Sequence, residues 1–293
     1  MNNRIKRTTM LVVRLNPAEA ELSFAVYPEQ LTSTTLVQGK VVGPKCRYAA
    51  TVEVAYPLRE QSRQYEKEGE PGIHLRAIIP EPSFWDLQSP LLYDCHLDLW
   101  QARQHAGQVR MSCGLHTRSF TSRGLQWNGK PLVLSCVERE QLTEAEALQL
   151  HAAGCNTLLM PFPPASQSPY KTAEQFGFLV LGRIRDRKGF AETTKVQDQT
   201  SALGSVLSAE LLDDPYVQLM LDVVPPLGVW LKGVELREPR ALPGGIQFVV
   251  CEEQDLPALE AVKLPKLVRT RRPLGERHID TTAPGILLGY IHP

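Results

Sequence analysis

Between residues 131 and 293, charged side chains gather at the ends of short apolar runs, where folding brings run ends to a common rim. Glu138, Arg139 and Glu140 follow Pro131-Leu-Val-Leu-Ser-Cys-Val137, and Arg183 and Arg185 follow Gly177-Phe-Leu-Val-Leu181. Asp222 closes Val217-Gln-Leu-Met-Leu221; Glu235 and Glu238 follow Val229-Trp-Leu-Lys-Gly-Val234. Glu252 and Glu253 follow Ile246-Gln-Phe-Val-Val250, Arg269, Arg271 and Arg272 follow Lys266-Leu-Val268, and His292 follows Ile286-Leu-Leu-Gly-Tyr290. Two carboxylates whose surroundings drive their pKa values apart act as general acid and base. Glu140, Asp222, Glu235 and Glu252 are the candidates for that work, with Glu140 and Glu252 or Glu253 as one pairing. An arginine fork binds carboxylate or phosphate through paired hydrogen bonds. Arg139, Arg183, Arg185, Arg269 and Arg271 are accordingly candidates for holding a small anion, such as a uronate or phosphate. The opposing reading is a solvated rim in which these Glu and Arg residues neutralise one another.

The runs that carry these residues read as buried strands joined by crossovers. Eight of them, at 131–137, 156–160, 177–181, 217–221, 229–234, 246–250, 266–268 and 286–290, suit a (β/α)8 barrel, whose chemistry sits at the C-terminal strand ends. The first crossover is the clearest. Thr143-Glu-Ala-Glu146 is a capping box, Leu142 serves as its staple, and Gly154 stops the helix. The span 131–293 falls short of the roughly 200 to 250 residues typical of such barrels, so several crossovers must be loops or single turns. The polar stretch 183–200 reads as a long loop able to fold over the barrel mouth and attract an acidic partner protein.

The first part of the chain has a different period. Apolar residues alternate in Leu22-Ser-Phe-Ala-Val-Tyr27, Ala50-Thr-Val-Glu-Val-Ala-Tyr56, Ile73-His-Leu-Arg-Ala-Ile78 and Leu92-Tyr-Asp-Cys-His-Leu-Asp-Leu99. Period two with turn residues between the runs means strands buried on one face, and about seven of them suit an immunoglobulin-like β-sandwich. The polar stretch 59–72 reads as a solvated loop between two strands.

Composition narrows the classes further. Lys plus Arg and Asp plus Glu both total 32, so the net charge is zero and nothing marks a nucleic-acid binder. No apolar run approaches the roughly 18 residues of a membrane span, and the apolar stretch behind the basic N-terminus ends at Arg14, short of a secretion signal. The six cysteines, Cys46, Cys95, Cys113, Cys136, Cys155 and Cys251, form no CxxC and no His-paired ligand spacing. They read as reduced, mostly buried thiols of a cytoplasmic protein with no metal and no cofactor.

Three passages, in order, resemble the middle of glycoside hydrolase family 2, the β-galactosidases, β-glucuronidases and β-mannosidases. The first is Pro80-Glu-Pro-Ser-Phe-Trp85-Asp-Leu-Gln-Ser-Pro90-Leu-Leu-Tyr93. The second is Gly114-Leu-His-Thr followed by Leu125-Gln-Trp-Asn128-Gly129-Lys130-Pro131. The third is Ala153-Gly154-Cys-Asn156-Thr-Leu-Leu-Met-Pro-Phe-Pro163-Pro164 with Phe176-Gly177-Phe-Leu-Val180. The resemblance covers about residues 75 to 183 and implies a sandwich leading into a glycosidase barrel. It also implies two catalytic glutamates, an acid/base on the fourth strand and a nucleophile on the seventh, about 5 to 5.5 Å apart in retaining enzymes.

Neither glutamate has a counterpart. The strand-four motif matches residues 214–225 best, which sets Val224 and Pro225 at its Asn-Glu pair, and the seventh run offers Arg269, Arg271 and Arg272. His116, Ser135, Leu159, Pro161 and Arg183 stand at further polar positions of the family pattern. Trp85, Trp100 and Trp127 offer faces for sugar stacking, although Trp85 and Trp127 match packing positions of the family. His116 and His292 are the histidines most able to titrate, and Cys136 reads as an inert buried thiol. The expectation is an immunoglobulin-like β-sandwich over residues 1–124 and a compact, degenerate (β/α)8 TIM-type barrel over 125–293. The expected function is that of a family 2-like pseudoenzyme with a carbohydrate-binding or regulatory role, its partners a carbohydrate or small anion and a protein. An active O-glycosyl hydrolase with relocated carboxylates and a ligand-free interaction scaffold are the alternatives.

Overall fold

The structure, a computed structural model, describes residues 3–64, 70–121, 123–162, 168–193, 199–221, 226–232, 242–274 and 286–293. The chain divides into two compact units, Met1–His116 and Thr117–Pro293. The sequence boundary at 124/125 falls inside a strand of the second unit.

The first unit holds β1 (Ile5–Leu15), β2 (Glu19–Pro28), β3 (Thr35–Lys45), β4 (Val54–Pro57), β5 (Arg59–Gln64), β6 (Gly72–Pro80), β7 (Leu92–Gln101) and β8 (Gln104–Gly114). They form two four-stranded antiparallel sheets, ordered β1-β2-β6-β5 and β4-β3-β7-β8. The period-two pattern is the cause: in β7 Cys95, Leu97 and Leu99 turn inward while Asp94, His96 and Asp98 stay partly exposed. Phe24, Leu22 and Leu75 of one sheet and Val41, Tyr93 and Leu97 of the other share a single apolar core. Residues 59–64, expected in a loop, form β5 at a sheet edge, where a polar strand discourages pairing with another chain.

The second unit starts with a small antiparallel sheet of β9 (Arg118–Thr121), β10 (Gly124–Trp127) and β11 (Lys130–Leu132). Eight parallel strands then close a barrel in chain order: β12 (Leu134–Glu138), β13 (Thr157–Phe162), β14 (Leu179–Ile184), β15 (Ala202–Ser208), β16 (Leu227–Trp230), β17 (Ile246–Glu252), β18 (Lys266–Arg269) and β19 (Leu287–His292). The ring closes where β12 pairs with β19. Arg118 of β9 donates to the carbonyls of Ala202 and Leu203 at the start of β15, and Phe120 stacks on Phe248 at 5.8 Å. The small sheet thereby covers the N-terminal end of the barrel and leaves the C-terminal end for the site.

Helices are few and short. Those described are α1 (Glu144–Ala152), α2 (Ser168–Phe176), α3 (Arg187–Ala191) and α4 (Pro215–Met220). α1 carries the expected capping box: Glu146 N–H donates to Thr143 Oγ1 while the Thr143 N–H donates to Glu146. Among the described residues the connection from β17 to β18 holds only a 3-10 stretch, Glu253–Leu259.

Two strand readings need correction. Residues 217–221 are not the fourth barrel strand: they lie mostly in α4, whose Asp214 side chain accepts from the N–H groups of Tyr216 and Val217 ahead of Pro215 at the first turn. The fourth strand is β15. The expected loop over 183–200 contains the end of β14 and then α3, capped by Asp186.

Candidate functional site

Alternate barrel strands send side chains into common layers, and at the C-terminal end one such layer is charged. It is made by Glu138 of β12, Arg183 of β14, Trp230 of β16 and Arg269 of β18, the first, third, fifth and seventh barrel strands. Arg183 Nη1 donates to Glu138 Oε1 at 2.6 Å, and Arg269 Nη2 stands 3.5 Å from Glu138 Oε2. The indole of Trp230 is 4% exposed. It carries the Arg183 guanidinium at 4.7 Å, that of Arg269 at 5.6 Å and the Lys232 ammonium at 5.6 Å. A cation within about 6 Å of a ring centroid is drawn by the negative π face. The carboxylate and the indole therefore offset, from two sides, the mutual repulsion of the arginines.

Arg183 of the third strand and Arg269 of the seventh both face Glu138. The group between them is Glu138, so an internal carboxylate stands where a ligand anion was expected. Beside the layer lies a cavity of about 40 Å³ lined by Arg183, Ser208, Glu210, Trp230 and Lys232. That volume admits a few waters.

The other expected site residues are dispersed. Arg139 donates to the Glu138 carbonyl oxygen at 2.7 Å, and Glu140, Arg185 and Arg271 are exposed. Glu252 pairs in register with Arg269, and among the described residues no hydrogen bond or ion pair joins it to Glu140. Asp222, Glu235, Glu238, Val224 and Pro225 lie outside the described residues. Glu253 accepts from Thr270 Oγ1 at 2.8 Å and pairs with Arg272 at 3.3 Å, which fastens the ends of the sixth and seventh strands to each other. His292 is buried with Nδ1 3.2 Å from the Arg272 carbonyl oxygen. Trp85 and Trp127 are buried, as packing residues are, and His116 lies 6.0 Å from the Trp85 ring. Among the described residues no group of three or more His, Cys, Asp or Glu is placed to hold a metal ion, and no helix is long and apolar enough to cross a membrane. Burial pushes the Cys136 thiol well up and Cys155 up to about 11, so neither supplies a ready thiolate.

Glu210, Trp230 and Lys232 escaped the sequence reading. Glu210 follows β15 directly, and the misassigned fourth strand hid it; the run Ala202-Leu-Gly-Ser-Val-Leu207 was the available signal.

By sequence, the chain matches no protein-family model and no curated relative. Solved structures do match. A β-glucuronidase of Bacteroides uniformis superposes with a TM-score of 0.70 at 14% identity, over 99% of this chain and 46% of that one. A glycosyl hydrolase family 2 member from Bacteroides cellulosilyticus gives 0.67 at 14%, over 99% and 44%. A β-D-glucuronidase of Dictyoglomus thermophilum gives 0.65 at 13%, over 99% and 62%. The fold is like that of the family 2 glycosidases. The chain spans between 44% and 62% of the length of these three proteins.

Proposed function

We propose that this chain is a catalytically degenerate relative of the family 2 glycosidases, an immunoglobulin-like sandwich joined to a reduced (β/α)8 barrel, with a carbohydrate-binding or regulatory role in the cytoplasm. One observation carries the reading. The seventh barrel strand, where the family resemblance puts the nucleophile, ends in Arg269, and that arginine is engaged with Glu138. A retaining glycosidase needs a carboxylate on each side of the sugar, and Arg269-Thr270-Arg271-Arg272 contains none.

A second reading rests on Glu210. It follows the fourth strand, the element to which the resemblance assigns the acid/base, and it lines the cavity with Arg183 and Trp230. An active hydrolase with one relocated carboxylate would draw on it. Hydrolysis of a panel of aryl β-glycosides, aryl β-glucuronides included, separates the two. The degenerate reading expects no turnover above the uncatalysed rate for the wild type. Turnover that disappears in Glu210→Gln establishes the second reading in its place.

A further inference from the structure

The first unit carries an open cavity on the outer face of the sheet β4-β3-β7-β8. It measures about 330 Å³ and is lined by Thr34, Leu36, Gln38, Trp100 and Arg103. This lies at the lower end of the range for small-molecule sites. The placement follows from strand alternation: Leu36 and Gln38 point outward from β3 while Val37 is buried, and Trp100 is the cross-strand partner of Leu36.

Three properties suit this face to one class of ligand. Trp100 is partly exposed, yet its Nε1 is buried and has no hydrogen-bond partner, so what it presents outward is ring carbon. Together with Leu36, 40% exposed, that forms an apolar platform on a soluble surface. The Gln38 side chain has no hydrogen-bond partner among the described residues, which leaves its amide as donor and acceptor above the platform, whereas the Thr34 hydroxyl is engaged with Thr32 and Gln101. Arg103 forms no ion pair among the described residues, and Asp98 of the same strand pair is held by Arg110 at 2.8 Å and His105 at 3.4 Å.

The backbone under Arg103 is unusual as well. β7 and β8 are joined by the two-residue turn Ala102-Arg103, whose φ angles of 48° and 69° are both left-handed. Such turns favour Asn-Gly, and each side chain that replaces glycine there is strained. Strain of this kind concentrates where a side chain is needed in a fixed place.

We propose that this cavity is a binding site for an acidic saccharide, in which a pyranose face stacks on Trp100, Gln38 serves the ring hydroxyls and Arg103 takes the carboxylate of a uronic acid. An aromatic face matches the apolar side of a sugar ring, and a guanidinium fork matches a carboxylate. The site is independent of the barrel mouth, and it stands whether or not the barrel is catalytic.

Titration calorimetry of the full chain against hexuronate oligosaccharides (oligogalacturonate, oligomannuronate and oligoglucuronate) and their neutral hexose counterparts tests it. At least one acidic oligomer is expected to bind with a Kd below roughly 1 mM. Trp100→Ala is expected to weaken it at least tenfold, with Trp100→Phe retaining most of the affinity. Arg103→Gly is expected to abolish the preference for the acidic over the neutral oligomer while raising Tm, because glycine relieves the turn. Arg183→Gln at the barrel mouth should leave binding unchanged. The proposal is overturned if no acidic member binds at millimolar concentration, if binding survives both Trp100→Ala and Arg103→Gly, or if Arg183→Gln removes it. A concentration-dependent dimer in sedimentation that Trp100→Ala breaks would instead assign the face to a second copy of the chain.

Discussion

Glu138 and Glu174 show how differently two carboxylates of one barrel are held. Glu138, about one-third exposed, lies between two arginines in a geometry whose net worth is set by desolvation as much as by attraction. Glu174 of α2 is buried. Burial pushes its carboxyl up from 4.5 to about 7, against the opposing pull of the Thr200 and Ser201 N–H groups and of Lys171. Thr200 N–H donates to Glu174 Oε1 at 2.7 Å, which ties α2 to the entry of β15. The folded chain therefore keeps a proton that the unfolded chain releases from about pH 4.5 upward. This group's contribution is fully present below pH 4.5, shrinks as pH rises, and is gone above about pH 7. Relative to wild type, Glu174→Gln should gain up to about 3 kcal/mol of unfolding free energy between pH 4.5 and pH 8. A difference between variant and wild type that stays constant across that range, in denaturant titrations, contradicts this account. At this scale the sequence was partly legible. Glu138, Arg183 and Arg269 could be named because charged residues after apolar runs mark strand ends. That Glu138 would occupy the arginines depends on which strands share a layer, a property of the closed barrel.

The elements divide by how locally their signals act. The capping box of α1 needs only four consecutive residues, and it formed as read. Replacing its Thr143 by Ala removes the acceptor for the Glu146 N–H and should lower the stability of the second unit by about 1 kcal/mol. An unchanged unfolding midpoint would show that the cap is dispensable. The fourth barrel strand was misread because short apolar runs do not declare their period. Val217-Gln-Leu-Met-Leu221 resembles a buried strand, although Asp214-Pro215 in front of it is a helix start. The true strand is broken by Gly204 and Ser205 and so looks weak, yet the glycine is required: a Cβ there would run into the carbonyl of Pro226, the residue before the neighbouring strand. β5 was missed for a related reason, since an edge strand has little need of the apolar alternation by which strands are recognised.

At the scale of the molecule, the chain retains the two-part β architecture of proteins roughly twice its length with about one residue in seven identical. Apolar periodicity and turn residues maintain such a fold, and they were what the sequence displayed. The chemistry needs particular side chains at particular strand ends, and at the end of the seventh strand this chain has Arg269, 3.5 Å from Glu138. Fold alone therefore transfers no activity. The central claim is that the barrel mouth holds no carboxylate that attacks a sugar, the seventh strand ending in Arg269. Covalent trapping tests it most directly: the intact protein is incubated with cyclophellitol aziridines, the 6-carboxylate form included, and its mass is measured. The account predicts an unchanged mass at every inhibitor concentration. A single adduct that maps by peptide sequencing to a glutamate or aspartate at the barrel mouth contradicts it.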